Sequence, residues 1–219
     1  WYSVSLDEMQ MHRLSTPQTF RSWYEEMDVP AYPYPYGVAG WSEDDEALLL
    51  YDRYDIWQFD PKGKASPRNL TQNGRTQRLS YRLQRLDKEA RSVDMDEPQL
   101  LLAFDERTKG SSVYRWEIGK EPVKLMGGAY KIDNLQKAKE ADVLLFSKES
   151  FTEYPDIRCT DFSFKKETRL THLGDQQAKY KWGSAELVSW TSMDGDTLEG
   201  VLYKPAGFDP AKQYPMLVN

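Results

Sequence analysis

The sequence predicts an all-β fold: a partial β-propeller of about three antiparallel blades, followed by the first strands of a second domain with an α/β sheet. Three observations support this prediction. Short segments alternate apolar and polar residues with a period of two, which is typical of strands with one buried face. One such segment recurs at intervals of roughly 40–50 residues, the period of propeller blades. From Glu186 onward the sequence pattern changes.

The repeated segment is clearest in residues 47–71, ALLLYDRYDIWQFDPKGKASPRNLT. An apolar triplet, Leu48–Leu50, precedes a short polar turn. Ile56, Trp57 and Phe59 then alternate with polar residues, and the segment ends on Asn69-Leu70-Thr71. The pattern predicts two outer strands of an antiparallel sheet.

Two further copies follow the first. They run through Leu100–Leu102, Val113–Ile118 and Val123–Leu125, and through Val143–Phe146, Ile157–Phe162 and Arg169-Leu170-Thr171. The Asn-Leu-Thr ending of the first copy matches a glycosylation sequon. Because the third copy ends similarly, we interpret it as a structural blade ending. An irregular β-sandwich with accidental internal similarity is the alternative to the propeller.

Local signals define the segments between the copies. Residues 1–20 are predicted to hold a strand and a polar connection, and Phe20–Gly40 is rich in tyrosine and proline. Proline disfavours helix and central strand, so this second segment should be extended and lie on the surface. A strand should begin at Val38.

Thr76–Leu86 is predicted as an inner strand, in which Leu79, Tyr81 and Leu83 alternate with Arg78, Arg82 and Arg85. Asp133–Ala141 is the only helix candidate, with Asp133 as its cap.

Composition argues against several functional classes. The 29 basic and 35 acidic residues give a net charge of −6 and form no basic stripe, so nucleic acid is not an expected partner. No apolar run approaches the ~18 residues of a membrane span. A single cysteine, Cys159, excludes an internal disulfide and is interpreted as a core residue. With only His12 and His172, a metal site built on histidine and cysteine is not expected, and no cofactor is predicted.

The last part of the chain predicts a hairpin and a third strand. Glu186–Thr191 and Thr197–Lys204 read as strands joined by a tight turn at Met193–Asp196, whose glycine suits positive φ. Tyr214–Val218 is almost entirely apolar, which is typical of an interior strand of an α/β sheet.

This tail, SAELVSWTSMDGDTLEGVLYKPAGFDPAKQYPMLVN, resembles the junction into the catalytic domain in the prolyl oligopeptidase family of serine peptidases, which includes dipeptidyl peptidase IV and acylaminoacyl peptidase. GVAGWSEDDEALLLYDRYDIWQFDP and PRNLT resemble propeller blades of bacterial members. The resemblance covers roughly residues 38–219. It implies that residues 1–185 are propeller blades and that residues 186–219 are the N-terminal strands of an α/β-hydrolase domain.

The family's nucleophile lies in a Gly-x-Ser-x-Gly elbow, with Asp and His further on, and this motif is absent here. We therefore interpret the chain as a non-catalytic fragment of such a peptidase and expect it to be inactive alone. In the intact enzyme, the resemblance implies a propeller that gates and shapes the site for hydrolysis of a peptide substrate, and it favours an exported or periplasmic location. A WD- or kelch-like propeller that binds proteins, or a carbohydrate-binding propeller, is the alternative. About three blades would leave the end sheets uncovered, so self-association is expected.

One acidic pair is a candidate binding site. Dipeptidyl peptidase IV relatives use a Glu-Glu pair on the propeller to hold the free amino terminus of the substrate. Tyr24-Glu25-Glu26 is similar in local sequence, although Met27–Pro30 departs from the family's pattern. The resemblance thus implies a substrate-binding role for Glu25 and Glu26 through charge-assisted hydrogen bonds. A solvated surface pair is the alternative.

Overall fold

The chain is built mainly of antiparallel β-strands connected by turns and short helical segments. The computed structural model describes residues 1–218. Its strands are β1 (Tyr2–Ser5), β2 (Gln10–Arg13), β3 (Val38–Trp41), β4 (Leu48–Tyr51), β5 (Ile56–Phe59), β6 (Arg68–Asn69), β7 (Leu79–Leu83), β8 (Gln99–Asp105), β9 (Ser111–Trp116), β10 (Val123–Gly128), β11 (Lys131–Lys137), β12 (Leu144–Ser150), β13 (Glu153–Thr160), β14 (Thr168–Arg169), β15 (Ser184–Thr191) and β16 (Thr197–Lys204). A one-turn helix, α1, spans Gly74–Gln77, and 3₁₀ turns span Glu43–Asp45 and Leu173–Lys179.

Most of these strands belong to three four-stranded sheets. Sheet 1 contains β3 to β6, sheet 2 contains β7 to β10 and sheet 3 contains β11 to β14, each in sequence order. The triplets Leu48–Leu50 and Leu100–Leu102 lie in different sheets. The prediction of a mostly β chain with several antiparallel sheets is confirmed. That these sheets are propeller blades stays a prediction.

The sheets pack face to face through apolar side chains. Leu49 and Ile56 of sheet 1 share a buried cluster with Tyr81 and Trp116 of sheet 2. A second cluster joins sheets 2 and 3, with the members Leu100, Val113, Ile132, Leu144 and Phe146. The other face of sheet 1 packs on the N-terminal segment, where Leu48, Leu50 and Phe59 meet Leu14 and Phe20. Burying one such large side chain contributes about 1.5–3 kcal/mol, so these interfaces stabilise the stack.

A buried aspartate fixes the last strand of sheet 1. Asp55 Oδ1 accepts hydrogen bonds from the Thr71 hydroxyl at 2.6 Å and from the Gly74 N–H at 2.9 Å. Thr71 also accepts from the Ile56 N–H at 3.1 Å. Because Thr71 is fully buried, the Asn-Leu-Thr ending has the structural role that the repeat indicated.

Sheet 3 repeats this arrangement. Asp156 Oδ1 accepts from the Thr171 hydroxyl at 2.6 Å, and Thr171 accepts from the Ile157 N–H at 2.9 Å. Asp156 Oδ2 also accepts from Arg169 Nε at 3.0 Å and Nη2 at 2.6 Å. The first and third copies of the sequence repeat therefore share their hydrogen bonding as well as their apolar pattern.

One internal prediction is wrong, and another has the right strand with bounds that are too wide. The proposed helix over Asp133–Ala141 is absent: its first five residues belong to β11, which pairs with β12 and buries Ile132, and the rest form the connection to β12. A helix of two turns is only marginally stable by itself, so pairing with β12 is the more favourable structure for this segment. The predicted strand over Thr76–Leu86 is shorter, because Asp55 accepts the N–H groups of Gly74 and Arg75 and stabilises α1 before β7 begins.

The ends of the chain also differ in part from expectation. Residues 1–20 contain a two-stranded hairpin, β1–β2, rather than one strand. The predicted hairpin at the other end is present as β15–β16, with Gly195 at φ 90°. The prediction of a third strand over Tyr214–Val218 is wrong, because these residues adopt no regular structure and pair with no strand of the described chain. Asn219, predicted in the hydrolase segment, lies outside the described residues. No helix within residues 1–218 is long and apolar enough to cross a membrane.

Candidate functional site

The candidate acidic pair lies on a folded-back loop rich in tyrosine and proline. The Tyr24 N–H donates to the Tyr34 carbonyl at 2.7 Å, and the Tyr36 N–H donates to the Ser22 carbonyl at 2.8 Å. The two arms of the loop are thereby joined, and its tip carries Tyr32, which is 96% exposed. The extended, surface-lying segment predicted from its prolines is present.

Each glutamate of the pair binds a different arginine. Glu25 Oε1 lies 2.8 Å from Arg75 Nη2, and Glu25 Oε2 lies 3.9 Å from Arg21 Nη1. Glu26 forms an ion pair with Arg53. The Glu25 side chain is 17% exposed and that of Glu26 is 59% exposed. The Glu25 carboxylate is thus held against the folded chain, whereas the Glu26 carboxylate pairs with Arg53 but stays largely exposed to solvent.

The two arginines converge on one tyrosine. The guanidinium carbons of Arg53 and Arg75 lie 5.1 Å and 4.9 Å from the centre of the Tyr54 ring. Arg53 Nε and the Tyr54 hydroxyl both donate to Glu106, each at 2.7 Å. Glu106 follows β8, so this carboxylate ties sheet 2 to the β4–β5 turn of sheet 1.

The turn itself is fixed by Asp52. Its Oδ1 accepts the N–H groups of Tyr54 at 2.8 Å and Asp55 at 2.6 Å, and its Oδ2 accepts from Trp57 Nε1 at 3.1 Å. The Asp-x-x-Asp sequence thus forms the local turn that presents Arg53 and Tyr54. Asp52 is buried, with Oδ2 3.5 Å from Arg75 Nη2.

The surroundings shift the pKa values of these titratable groups in different directions. Burial raises the pKa of Glu106, but hydrogen bonds from Arg53 and Tyr54 outweigh it and hold the pKa below its usual value. Burial raises the pKa of Asp52 above its usual value, and its backbone hydrogen bonds offset this only in part. The pKa of the Tyr54 phenol is raised by burial and by its hydrogen bond to Glu106. At neutral pH, Glu106 is therefore an ionised acceptor and Tyr54 a neutral donor.

A cavity of about 480 Å³ lies beside this cluster. Phe20 and Trp57 provide apolar walls, and Arg21, Asp52 and Arg75 provide the charged ones. Within residues 1–218, no group of three or more His, Cys, Asp or Glu residues is arranged to hold a metal ion.

Sequence reasoning singled out Glu25 and Glu26 but missed their partners. Arg53 and Arg75 lie 27 and 50 residues away along the chain, so no local motif links them to the acidic pair. The sequence does carry one signal for these arginines, since Arg53 lies in the predicted turn after the apolar triplet and Arg75 immediately precedes the predicted strand over Thr76–Leu86. That Glu25 and Glu26 bind a substrate stays a prediction.

The comparisons with known proteins give similarities in fold alone. No protein-family model matches the chain, and no curated protein matches it. Among solved structures, it is similar to dipeptidyl peptidase 4 of Porphyromonas gingivalis, with a TM-score of 0.54 and 18% identity over 77% of this chain and 23% of that one. A Bacteroides ovatus protein assigned as a dipeptidyl aminopeptidase IV gives a TM-score of 0.55 and 15% identity over 81% of this chain and 27% of that one.

A third similar structure is the AtxE2 isopeptidase with Astexin3-dC4 bound, at a TM-score of 0.50 and 13% identity. That match covers 97% of this chain and 30% of the isopeptidase. The chain therefore spans less than a third of the length of each of these structures.

Proposed function

We propose that residues 1–185 form blades of a β-propeller in a serine peptidase of the prolyl oligopeptidase family, and that residues 186–219 begin its α/β-hydrolase domain. In that enzyme the propeller gates and shapes the cavity in which short peptides are hydrolysed. Glu25 and Glu26 hold the free amino terminus of the substrate. The catalytic serine, histidine and aspartate belong to residues beyond this sequence.

One observation carries the binding part of the proposal: two adjacent carboxylates are each fixed by a separate arginine on one surface. An ionised carboxylate can accept about four hydrogen bonds, and an ammonium group supplies three donors. Arg75 and Arg53 occupy only part of this capacity, and Glu26 Oε2 accepts no hydrogen bond in the described chain. The arginines therefore orient the pair and leave acceptor positions for a substrate amine.

The same arginines limit the strength of the interaction. They neutralise much of the charge of Glu25 and Glu26, so an ammonium group meets a weaker field than a bare pair would provide. A hydrogen bond to a charged group contributes about 1.5–3 kcal/mol when partly shielded from water. We expect Glu25, which is the less exposed residue, to contribute more than Glu26.

The test compares substrates with free and blocked amino termini. In the proposed peptidase, replacing Glu25 and Glu26 by Gln should lower kcat/KM for aminoacyl-proline reporters with a free amine by about 10-fold to 100-fold, which corresponds to about 1.4–2.8 kcal/mol. Cleavage of the same reporters with an acetylated amine should change little.

Glu89 provides the control, because its side chain is 82% exposed and pairs only with Lys139 in the described chain. Glu89→Gln should affect neither class of reporter. Equal losses on free and acetylated reporters in the Glu25→Gln and Glu26→Gln variants would refute the amine-binding role.

A further inference from the structure

One guanidinium beside the candidate site has no anionic partner. Arg82 lies on β7 and is half-buried. Its Nη1 donates to the Tyr81 carbonyl at 2.7 Å, and its Nη2 donates to the Arg53 carbonyl at 3.4 Å. Throughout residues 1–218, no carboxylate oxygen lies within 4.0 Å of its nitrogens.

The neighbouring arginines are different. Arg53 pairs with Glu26 and Glu106, and Arg75 pairs with Glu25 and Asp52. A cation withdrawn from water is costly unless an anion and hydrogen bonds compensate it, and burial accordingly lowers the pKa of Arg82. Backbone carbonyls and aromatic rings compensate Arg82 only in part.

The groups around Arg82 are aromatic rings and hydrogen-bond donors. Its guanidinium carbon lies 4.7 Å from the centre of the Tyr51 ring and 5.8 Å from that of Tyr36. The Tyr36 hydroxyl accepts the Glu25 N–H at 2.9 Å, and its own proton has no acceptor in the described chain. The Arg82 guanidinium thus lies over the ring that carries the free phenol proton, and two such donors favour an acceptor, above all an anion.

Asp52, a carboxyl group whose charge acts on Arg82, cannot serve as this anion. The charge of Asp52 acts on Arg82, but at more than ion-pair distance. Its two oxygens already accept the N–H groups of Tyr54 and Asp55 and the indole of Trp57. Because these bonds fix the β4–β5 turn, Asp52 is held away from Arg82.

We propose that Arg82, assisted by the Tyr36 hydroxyl, binds a carboxylate group of a peptide ligand. A planar guanidinium matches the two oxygens of a carboxylate, and the Glu25 N–H bond to Tyr36 places this position directly beside the acidic pair. A short peptide could then engage Glu25 and Glu26 through its amine and Arg82 through its carboxylate. The identification of the ligand as a peptide rests on the proposed function.

The experiment measures binding by calorimetry on the 219-residue chain, with no hydrolysis required. The probes are Ala-Glu-amide, Ala-Gln-amide and Ala-Gln with a free carboxyl terminus, so that an acidic side chain and a terminal carboxylate are tested separately. We expect at least one carboxylate probe to bind about 10-fold more tightly than Ala-Gln-amide. This is the difference in affinity expected because the amide probe cannot form the charged, hydrogen-bonded pair with Arg82.

The variant Arg82→Gln should abolish this preference, and Arg82→Lys should retain part of it. Arg115→Gln is the matched control, since Arg115 lies in the same sheet, is 48% exposed and faces Glu117 at 3.4 Å. It should leave the preference unchanged.

Equal affinity of the native chain for all three probes would overturn the proposal, and this comparison does not depend on the folding of any variant. Retention of the preference in Arg82→Gln would also overturn it, as would tighter binding of inorganic phosphate than of either carboxylate probe. All three probes carry the same free amine. The comparison between them therefore still tests the carboxylate role of Arg82 even if Glu25 and Glu26 do not bind amines.

Discussion

Replacing Asp156 by asparagine should strongly destabilise the chain. The carboxylate is fully buried and accepts five hydrogen bonds: from the Thr171 hydroxyl, from the N–H groups of Leu173 and Gly174, and from two nitrogens of Arg169. Asparagine has nearly the same shape but one oxygen only, and its NH₂ group would face either Arg169 or another donor.

The magnitude follows from these contacts. Removing one partner of a buried ion pair costs about 3–5 kcal/mol, because the other charge loses its compensation. Arg169 is half-buried and also touches Asp175 at 3.1 Å, so part of its charge stays compensated. We therefore expect Asp156→Asn to lower the free energy of unfolding by about 3 kcal/mol, the lower end of that range.

Urea unfolding followed by tryptophan fluorescence measures this change, provided that the slope m is unaltered. Asp175→Asn is the control: it removes a second carboxylate from the same arginine, but one that is 67% exposed, and should cost less than about 1 kcal/mol. Equal losses for Asp156→Asn and Asp175→Asn would refute the reasoning.

The same carboxylate should contribute to acid sensitivity. Burial raises the pKa of Asp156, but the hydrogen bonds from Thr171, Leu173, Arg169 and Gly174 outweigh it and lower the pKa to about 2. Since the folded-state pKa lies below the unfolded value, this stabilisation is complete above pH ~4 and is lost as the pH falls through about 2. Asp156→Asn should flatten the pH dependence of stability in that window, whereas an unchanged profile would contradict the assignment.

Three further predictions concern activity, packing and association. The 219-residue chain should neither hydrolyse aminoacyl-proline reporters nor react with fluorophosphonate probes, because it contains no Gly-x-Ser-x-Gly elbow; stoichiometric labelling of a serine would contradict this. Trp116→Ala should lower the free energy of unfolding by about 3–5 kcal/mol in urea titrations, because the side chain is fully buried, whereas Trp190→Ala, at a half-exposed position, should cost much less. The chain should self-associate in sedimentation experiments, and Ile157→Lys should shift it toward monomer while Tyr32→Lys does not; a compact native monomer at high concentration would refute this.

The strands were predictable wherever their signal is local. β4 and β5 follow from the apolar triplet at Leu48–Leu50 and from the alternation after it, and the β15–β16 hairpin follows from its Asp-Gly turn. The segment after Asp133 carries good helix formers, yet pairing with β12 makes it a strand, and such pairing depends on residues distant in sequence. The candidate site has the same limit, because Arg53 and Arg75 reach the acidic pair only through the tertiary fold.

Burial of an apolar strand depends on what packs against it, and the sequence repeat makes this visible. Leu49, Ile56 and Leu70 of sheet 1 are fully buried against sheet 2. Their counterparts in sheet 3, which are defined by matching hydrogen bonds, are Leu145, Ile157 and Leu170, with exposed fractions of 38%, 46% and 50%.

The correspondence between the two sheets is close. The Leu70 N–H donates to the Ile56 carbonyl at 2.9 Å, and the Leu170 N–H donates to the Ile157 carbonyl at 2.8 Å. The two faces therefore have the same backbone geometry and similar apolar side chains. They differ because a neighbouring sheet covers this face of sheet 1 but not the corresponding face of sheet 3. Contiguous exposed apolar surface favours association. This face of sheet 3 is consequently where we expect copies of the chain to meet, which is why the Ile157→Lys variant is the informative one.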